Sequence, residues 1–196
     1  MSNQKTLRIT VTALMAALCY VAFTFLQIKI PTPVGYTSFH LGNTFCVLAA
    51  LLLGGIPGGI AGAIGMGIGD ILDPVYIMVA PKTLFLKFMI GLITGLVAHK
   101  ILKIQLQKGK KLVGSVIASC AAGMGFNIIG EPLVSYLYYL ILLGDSTKAA
   151  DYLVAAKFIT TGVNAILAVV IATVIYLAIY PRFQKNGTLN RLKPEK

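Results

Sequence analysis

Charge is what this chain has least of. Only 12% of its 196 residues are charged, against 57% that are hydrophobic, where soluble domains carry about 25% charged residues. With a mean hydropathy of +0.84, that deficit excludes a soluble globular domain and implies an integral membrane protein. Acids are scarcer still: six, against 17 Lys and Arg, for a net charge of +11. The basic residues flank apolar runs, which is the pattern of topogenic charge rather than of a nucleic-acid surface, so no nucleic-acid partner is expected. Cys19, Cys46 and Cys120 all lie in apolar runs without metal-ligand spacing, which argues against a disulfide set or a zinc site. There is no Gly-x-x-x-x-Gly-Lys-Ser/Thr loop for a nucleotide, no His/Glu/Cys cluster with metal spacing and no nucleophile–base pair. Neither an enzyme nor a cofactor is expected. The glycines of GIGMGIGD stand inside an apolar helix and read as packing.

What is present is a succession of apolar runs, most long enough to cross a ~30 Å hydrocarbon core as helices. The expected fold is an all-α bundle of six transmembrane helices forming a single domain over 1–196, with both termini cytoplasmic. Its helices are expected at about Ile9–Ile28, His40–Leu53, Gly58–Leu72, Pro81–His99, Leu112–Leu143 (broken or kinked near Gly130–Pro132) and Tyr152–Tyr180. The first run is too long, and lacks the small-residue site, for a cleaved signal peptide. Lys29–Phe39, with its two prolines and a glycine, reads as an external loop. Asp73–Ala80 and Gly144–Asp151 are the other external connections. The tails 1–8 and 181–196 and the five lysines of Lys100–Lys111 take most of the basic residues to the cytoplasmic side, while only Glu195 among the acids falls there. Localisation is accordingly multi-pass in the plasma membrane.

The stretch from Thr37 to Thr83 organises the rest. Two apolar segments meet at a Gly/Pro corner (Gly54, Gly55, Pro57, Gly58, Gly59), and their polar ends, His40 and Asn43 on one and Asp70 and Asp73 on the other, return to the same side. Ionisable residues inside spanning helices are costly and point to function; Lys82, Lys87, Glu131 and Lys157 are of this kind. Asn127, Glu131, Ser135 and Tyr138 form one polar stripe on the fifth helix, and Lys157, Thr160, Thr161 and Asn164 another on the sixth. These groups converge on the outer half of the bundle and leave the inner half nearly apolar, which fits an outward-facing pocket better than a channel or carrier lined throughout its depth. Competing readings stand beside this one. Lys82 and Lys157 can snorkel to the surface, Lys87 and Glu131 can pair with each other, and His40 can be a cap. Asp70 and Asp73 read first as helix-end and loop groups, and the tyrosines as an interfacial belt. Gly58, Gly62, Gly65 and Gly69 form a groove suited to close packing, within the bundle or against a partner. Ala13 and Ala17 give the first helix the small-xxx-small spacing that favours helix association.

The six helices, Ala13-x-x-x-Ala17, and the run HLGNTFCVLAALLLGGIPGGIAGAIGMGIGD followed by APKTLFLKFMIGLITGL together resemble the substrate-binding (S) components of energy-coupling factor (ECF) vitamin transporters. The similarity covers nearly the whole chain and is greatest to the riboflavin-type branch. It implies a non-catalytic subunit of an ABC-type complex in the lipid bilayer. Such a subunit captures a vitamin outside, docks on a membrane coupling (T) subunit that carries two cytoplasmic ATPases, and topples to release its cargo inside. By that resemblance Ala13 and Ala17 form part of the docking face, joined here by Gly58 and Gly62. The substrate-binding set is His40, Asn43, Lys82, Lys87, Asn127, Glu131, Tyr138, Lys157, Thr161 and Asn164. Pyridoxine or hydroxymethylpyrimidine is the first expectation for the ligand, with Glu131 on a ring nitrogen or amine; pantothenate and riboflavin follow. A self-sufficient secondary carrier is the alternative.

Overall fold

The computed structural model describes residues 2–33, 35–142 and 147–192. Helix α1 (Ser2–Thr24) leads into an antiparallel hairpin, β1 (Gln27–Thr32) and β2 (Gly35–His40), in which Gln27 lies opposite His40. Then follow α2 (Gly42–Leu53), α3 (Gly55–Leu72), α4 (Ala80–Leu96), α5 (Gly109–Leu137), α6 (Thr147–Lys185) and the short α7 (Thr188–Leu192). A 3-10 turn, Ile77–Val79, precedes α4, and π-helical turns extend α4 through Val97–Ile101 and α5 through Tyr138–Leu142.

Five helical stretches among the described residues are long and apolar enough to span a membrane: Gln4–Thr24, Gly55–Leu72, Ile77–Ile101, Gly109–Ile141 and Asp151–Lys185. The sixth expected span, α2, has 12 residues. At ~1.5 Å per residue that is ~18 Å, well short of the hydrocarbon thickness. Eleven of its residues, from Gly42 to Leu53 with Phe45 the exception, are buried. α2 is thus a central pillar walled by α1, α3, α4 and α6. The expectation of an all-α fold also needs one correction. Residues 27–40 are not an irregular loop but a hairpin, and α1 stops at Thr24 rather than Ile28. β-Branched and aromatic residues (Ile28, Ile30, Tyr36, Phe39) favour strands. Pro31 is tolerated because a two-stranded ribbon has only edge strands, and Gly35 supplies a φ of +145° that other residues rarely adopt.

The corner between α2 and α3 is a single residue, Gly54, with φ of +97°, so α3 begins three residues earlier than expected and Pro57 falls in its first turn. Close approach then decides the glycines. A Cβ at Gly58 would lie 2.4 Å from the Ala50 Cα, and one at Gly62 would lie 2.3 Å from the Cys46 Sγ. Both glycines therefore face α2 inside the bundle rather than forming an outer docking surface. α5 continues unbroken past Pro132, and α6 runs beyond Tyr180 and Pro181 to Lys185. The expected external connection at 144–151 lies partly outside the described residues.

Candidate functional site: a buried cavity under the hairpin

The polar stripes meet where sequence periodicity sends them. On α5, Asn127 and Glu131 are four residues apart; on α4, Thr83 and Lys87 are; on α6, Thr160, Thr161 and Asn164 share a face. With His40, Asn43 and Asp70 they line a cavity of about 50 Å³ that Thr37 and Ser38 of the hairpin cover. Phe23 of α1 and Tyr76 of the α3–α4 turn complete its wall with aromatic rings.

Glu131 is the electrostatic centre. Lys82 Nζ donates to its Oε1 at 2.5 Å and to Ser135 Oγ at 3.0 Å, and Lys157 Nζ donates to the same Oε1 at 3.1 Å. Lys87 Nζ stands 3.8 Å from Oε2, an ion pair too long for a hydrogen bond. Lys82, Lys87 and Lys157 are 4%, 5% and 7% exposed, so neither Lys82 nor Lys157 snorkels to the surface. They stand behind Glu131, and Lys87 alone of the three reaches the cavity wall.

The hairpin is fastened by polar contacts that could not form without burial. The Thr37 and Thr160 hydroxyls lie 2.7 Å apart; Asn164 accepts from the His40 N–H at 3.0 Å and donates to the Ser38 carbonyl at 2.9 Å. Lys29 closes the outer edge with an ion pair to Asp73 and lies 5.4 Å above the Tyr76 ring. His40 Nδ1 accepts from the Gly42 N–H at 3.2 Å, which fixes Nε2 as the protonated nitrogen of the neutral ring. Burial, and then the Lys87 ammonium, push this imidazole down to about 3.

Several buried polar atoms on the wall lack a partner among the described residues: both amide atoms of Asn43, Oδ1 of Asn127 and Oδ2 of Asp70. A buried amide with neither end satisfied costs about 1–3 kcal/mol per group, a cost that an ordered water or a ligand in the cavity would relieve.

Of the expected site residues, His40, Asn43, Lys87, Asn127, Glu131, Thr161 and Asn164 line the cavity. Tyr138 does not: its hydroxyl donates outward to the Met78 carbonyl at 2.6 Å. Asp70, read from sequence as a helix-end group, is 2% exposed on the cavity wall. Phe23, Thr37, Ser38 and Thr83 were not singled out, and Tyr76, recognised only as part of the polar end of the 37–83 stretch, also lines the cavity. Asp70 was within reach of periodicity, because Ile60, Ile64 and Ile68 mark the exposed face of α3 and Asp70 lies off that stripe.

Two further features stand apart. Between α1 and α3 runs an open apolar groove of about 810 Å³, walled by Ala13, Ala16 and Ala17 on one side and Ile60, Ile64 and Ile68 on the other. At the opposite end of the bundle a cavity of about 120 Å³ is lined by His99, Gln105, Tyr176 and Tyr180, so that half is less apolar than the sequence suggested. His99 lies within 3.1 Å of the Ala50 carbonyl there.

Spanning helices around a buried, polar, unsatisfied cavity define a membrane-embedded binding protein. The chain belongs to the S components of ECF-type riboflavin transporters, whose family model matches residues 3–181. No curated protein and no solved structure matches it. Membership makes the chain a vitamin-binding transporter subunit, multi-pass in the plasma membrane, in a family that is not one of enzymes and whose members associate with T and ATPase modules.

Proposed function

We propose that the chain captures one compact vitamin or vitamin precursor from the outer face, holds it beneath the hairpin, and passes it inward after docking on the T subunit through the α1–α3 groove at Ala13 and Ala17. The observation that carries the reading is the polar cavity beneath the hairpin, with both ends of the Asn43 amide unpaired among the described residues. The orientation rests on charge: Lys5, Arg8 and the lysines between 100 and 111 belong to the end opposite the cavity, which the positive-inside rule puts in the cytoplasm with both termini. Val47, Leu48, Leu51 and Met124 are fully buried within the apolar core, and this supports binding over a self-sufficient carrier with a polar path through its depth.

A cavity of about 50 Å³ holds only a few water-sized groups, so each candidate requires the walls to give, and a single-ring ligand requires it least. Pyridoxine and hydroxymethylpyrimidine are the smallest of the candidates, although Glu131, expected to take a ring nitrogen or amine, is already held by three lysines. Pantothenate brings a carboxylate for Lys87, the lysine on the cavity wall. Riboflavin is favoured by the family's description and needs the hairpin to move.

Native mass spectrometry of the gently purified chain, followed by calorimetry with these four compounds, tests the proposal. One compact vitamin bound one-to-one and released unchanged is the expected result. A yellow protein carrying flavin would overturn the size argument while leaving the transport role, and a chain that turns its ligand over would overturn both.

A further inference from the structure

Buried charge around the cavity does not balance. Three ammoniums, Lys82, Lys87 and Lys157, face two carboxylates, Glu131 and Asp70, all five at most 9% exposed. The His40 ring, which accepts a hydrogen bond at Nδ1, adds no charge. Oε1 of Glu131 is saturated: it takes Lys82, Lys157 and the Ser135 hydroxyl, the last at 3.3 Å. Lys87 is left with a distant share of Oε2 at 3.8 Å. An ammonium in a low-dielectric site is stable only when paired and hydrogen-bonded, and its three donors need acceptors.

We infer that the ligand is an acid, and that its carboxylate sits on Lys87 with the Asn43 amide beside it. This rests on the cavity being the substrate site and narrows the substrate to a class. A carboxylate brings the one negative charge the cluster lacks and accepts from both Lys87 Nζ and Asn43 Nδ2. Asn43 Oδ1, Asn127 Oδ1 and Asp70 Oδ2 remain as acceptors for hydroxyl or N–H groups on the rest of the molecule. The ligand so described is a small monoacid bearing two or more hydrogen-bond donors. A neutral ring leaves the positive charge uncompensated.

The test uses the full-length chain in detergent and matched acid/neutral pairs: pantothenate with panthenol, nicotinate with nicotinamide, and pyridoxate with pyridoxine. One acid is expected to bind at least about 30-fold more tightly than its neutral partner, the low end of what loss of a buried charge pair costs. Lys87→Met is expected to lose that binding by a similar factor while the ligand-free protein melts at the same or a higher temperature, since the variant removes an unbalanced charge; Lys87→Arg is expected to retain part of the binding. Equal binding of an acid and its neutral partner, or unimpaired binding by Lys87→Met, overturns the inference. So does a native mass spectrum showing no acid together with no binding of any acid in the panel. If a neutral vitamin binds and Asn43→Leu abolishes it, the site stands and only the anion is wrong. If Asn43→Leu leaves every bound vitamin untouched, the site itself is wrong.

Discussion

At the scale of single residues, Glu131 and Asn43 are opposite kinds of site group. Glu131 is the counter-ion for three buried lysines, so Glu131→Gln removes more than a ligand contact. Breaking a buried ion pair by deleting one partner costs about 3–5 kcal/mol, and a lower thermal midpoint in detergent is expected alongside lost binding. An unchanged midpoint would show that the lysines find other counter-ions. Asn43 has no partner to lose among the described residues. Asn43→Leu is therefore expected to hold or raise the midpoint while calorimetry shows weakened binding. His40 adds a pH dependence. Its ring is held down to about 3 in the fold by burial, then Lys87, and returns to about 6.5 on unfolding. Below that value the unfolded chain binds the extra proton, so stability falls as pH drops, by up to about 1.4 kcal/mol per pH unit. Melting curves between pH 7.5 and 5, compared for the parent and His40→Gln, should show this contribution as the difference between the two slopes.

At the scale of elements, what was legible in the sequence followed helical periodicity and what was missed needed partners. The stripes on α5 and α6 point where four-residue spacing says they should, and the polar ends of α2 and α3 do meet. Tyr138 failed for a countable reason. The stripe through Asn127, Glu131 and Ser135 continues at Tyr139, which is 6% exposed, whereas Tyr138 begins a π-helical turn that alters the spacing. The hairpin was invisible because Lys29–Phe39 contains the residues that usually break structure. Only pairing of Gln27 with His40, and the anchors on Thr160 and Asn164, make it a ribbon. Those anchors yield a prediction at this scale. Asn164→Leu removes two hydrogen bonds to the hairpin, so amide exchange over 27–40 should accelerate and ligand should dissociate faster, with the helices unchanged. Equal exchange in mutant and parent would show the hairpin held by other contacts.

At the scale of the molecule, the proposed binding and docking sites lie on different faces. Ala13 and Ala17 are exposed on the α1–α3 groove, away from the cavity lining. Ala13→Trp or Ala17→Trp is expected to leave vitamin affinity intact and to abolish co-purification with the T subunit and uptake in cells. Retained co-purification in both would move the docking surface elsewhere. Gly58→Leu and Gly62→Leu serve as the contrast. They collide with Ala50 and Cys46 inside the bundle, so loss of the folded protein is expected rather than a selective loss of docking.

The shortness of α2 bears on how the chain is made. A 12-residue helix cannot by itself settle across a bilayer as it leaves the ribosome, and its flanks carry no charge to arrest it. Joined to α3 through the single residue Gly54, it can partition only as one arm of a preformed helical pair. A nascent chain truncated before α3 is therefore expected to leave α2 unintegrated, and glycosylation mapping of truncated chains checks it: the half of the cavity that carries His40 and Asn43 would then enter the membrane only with the half that carries Asp70.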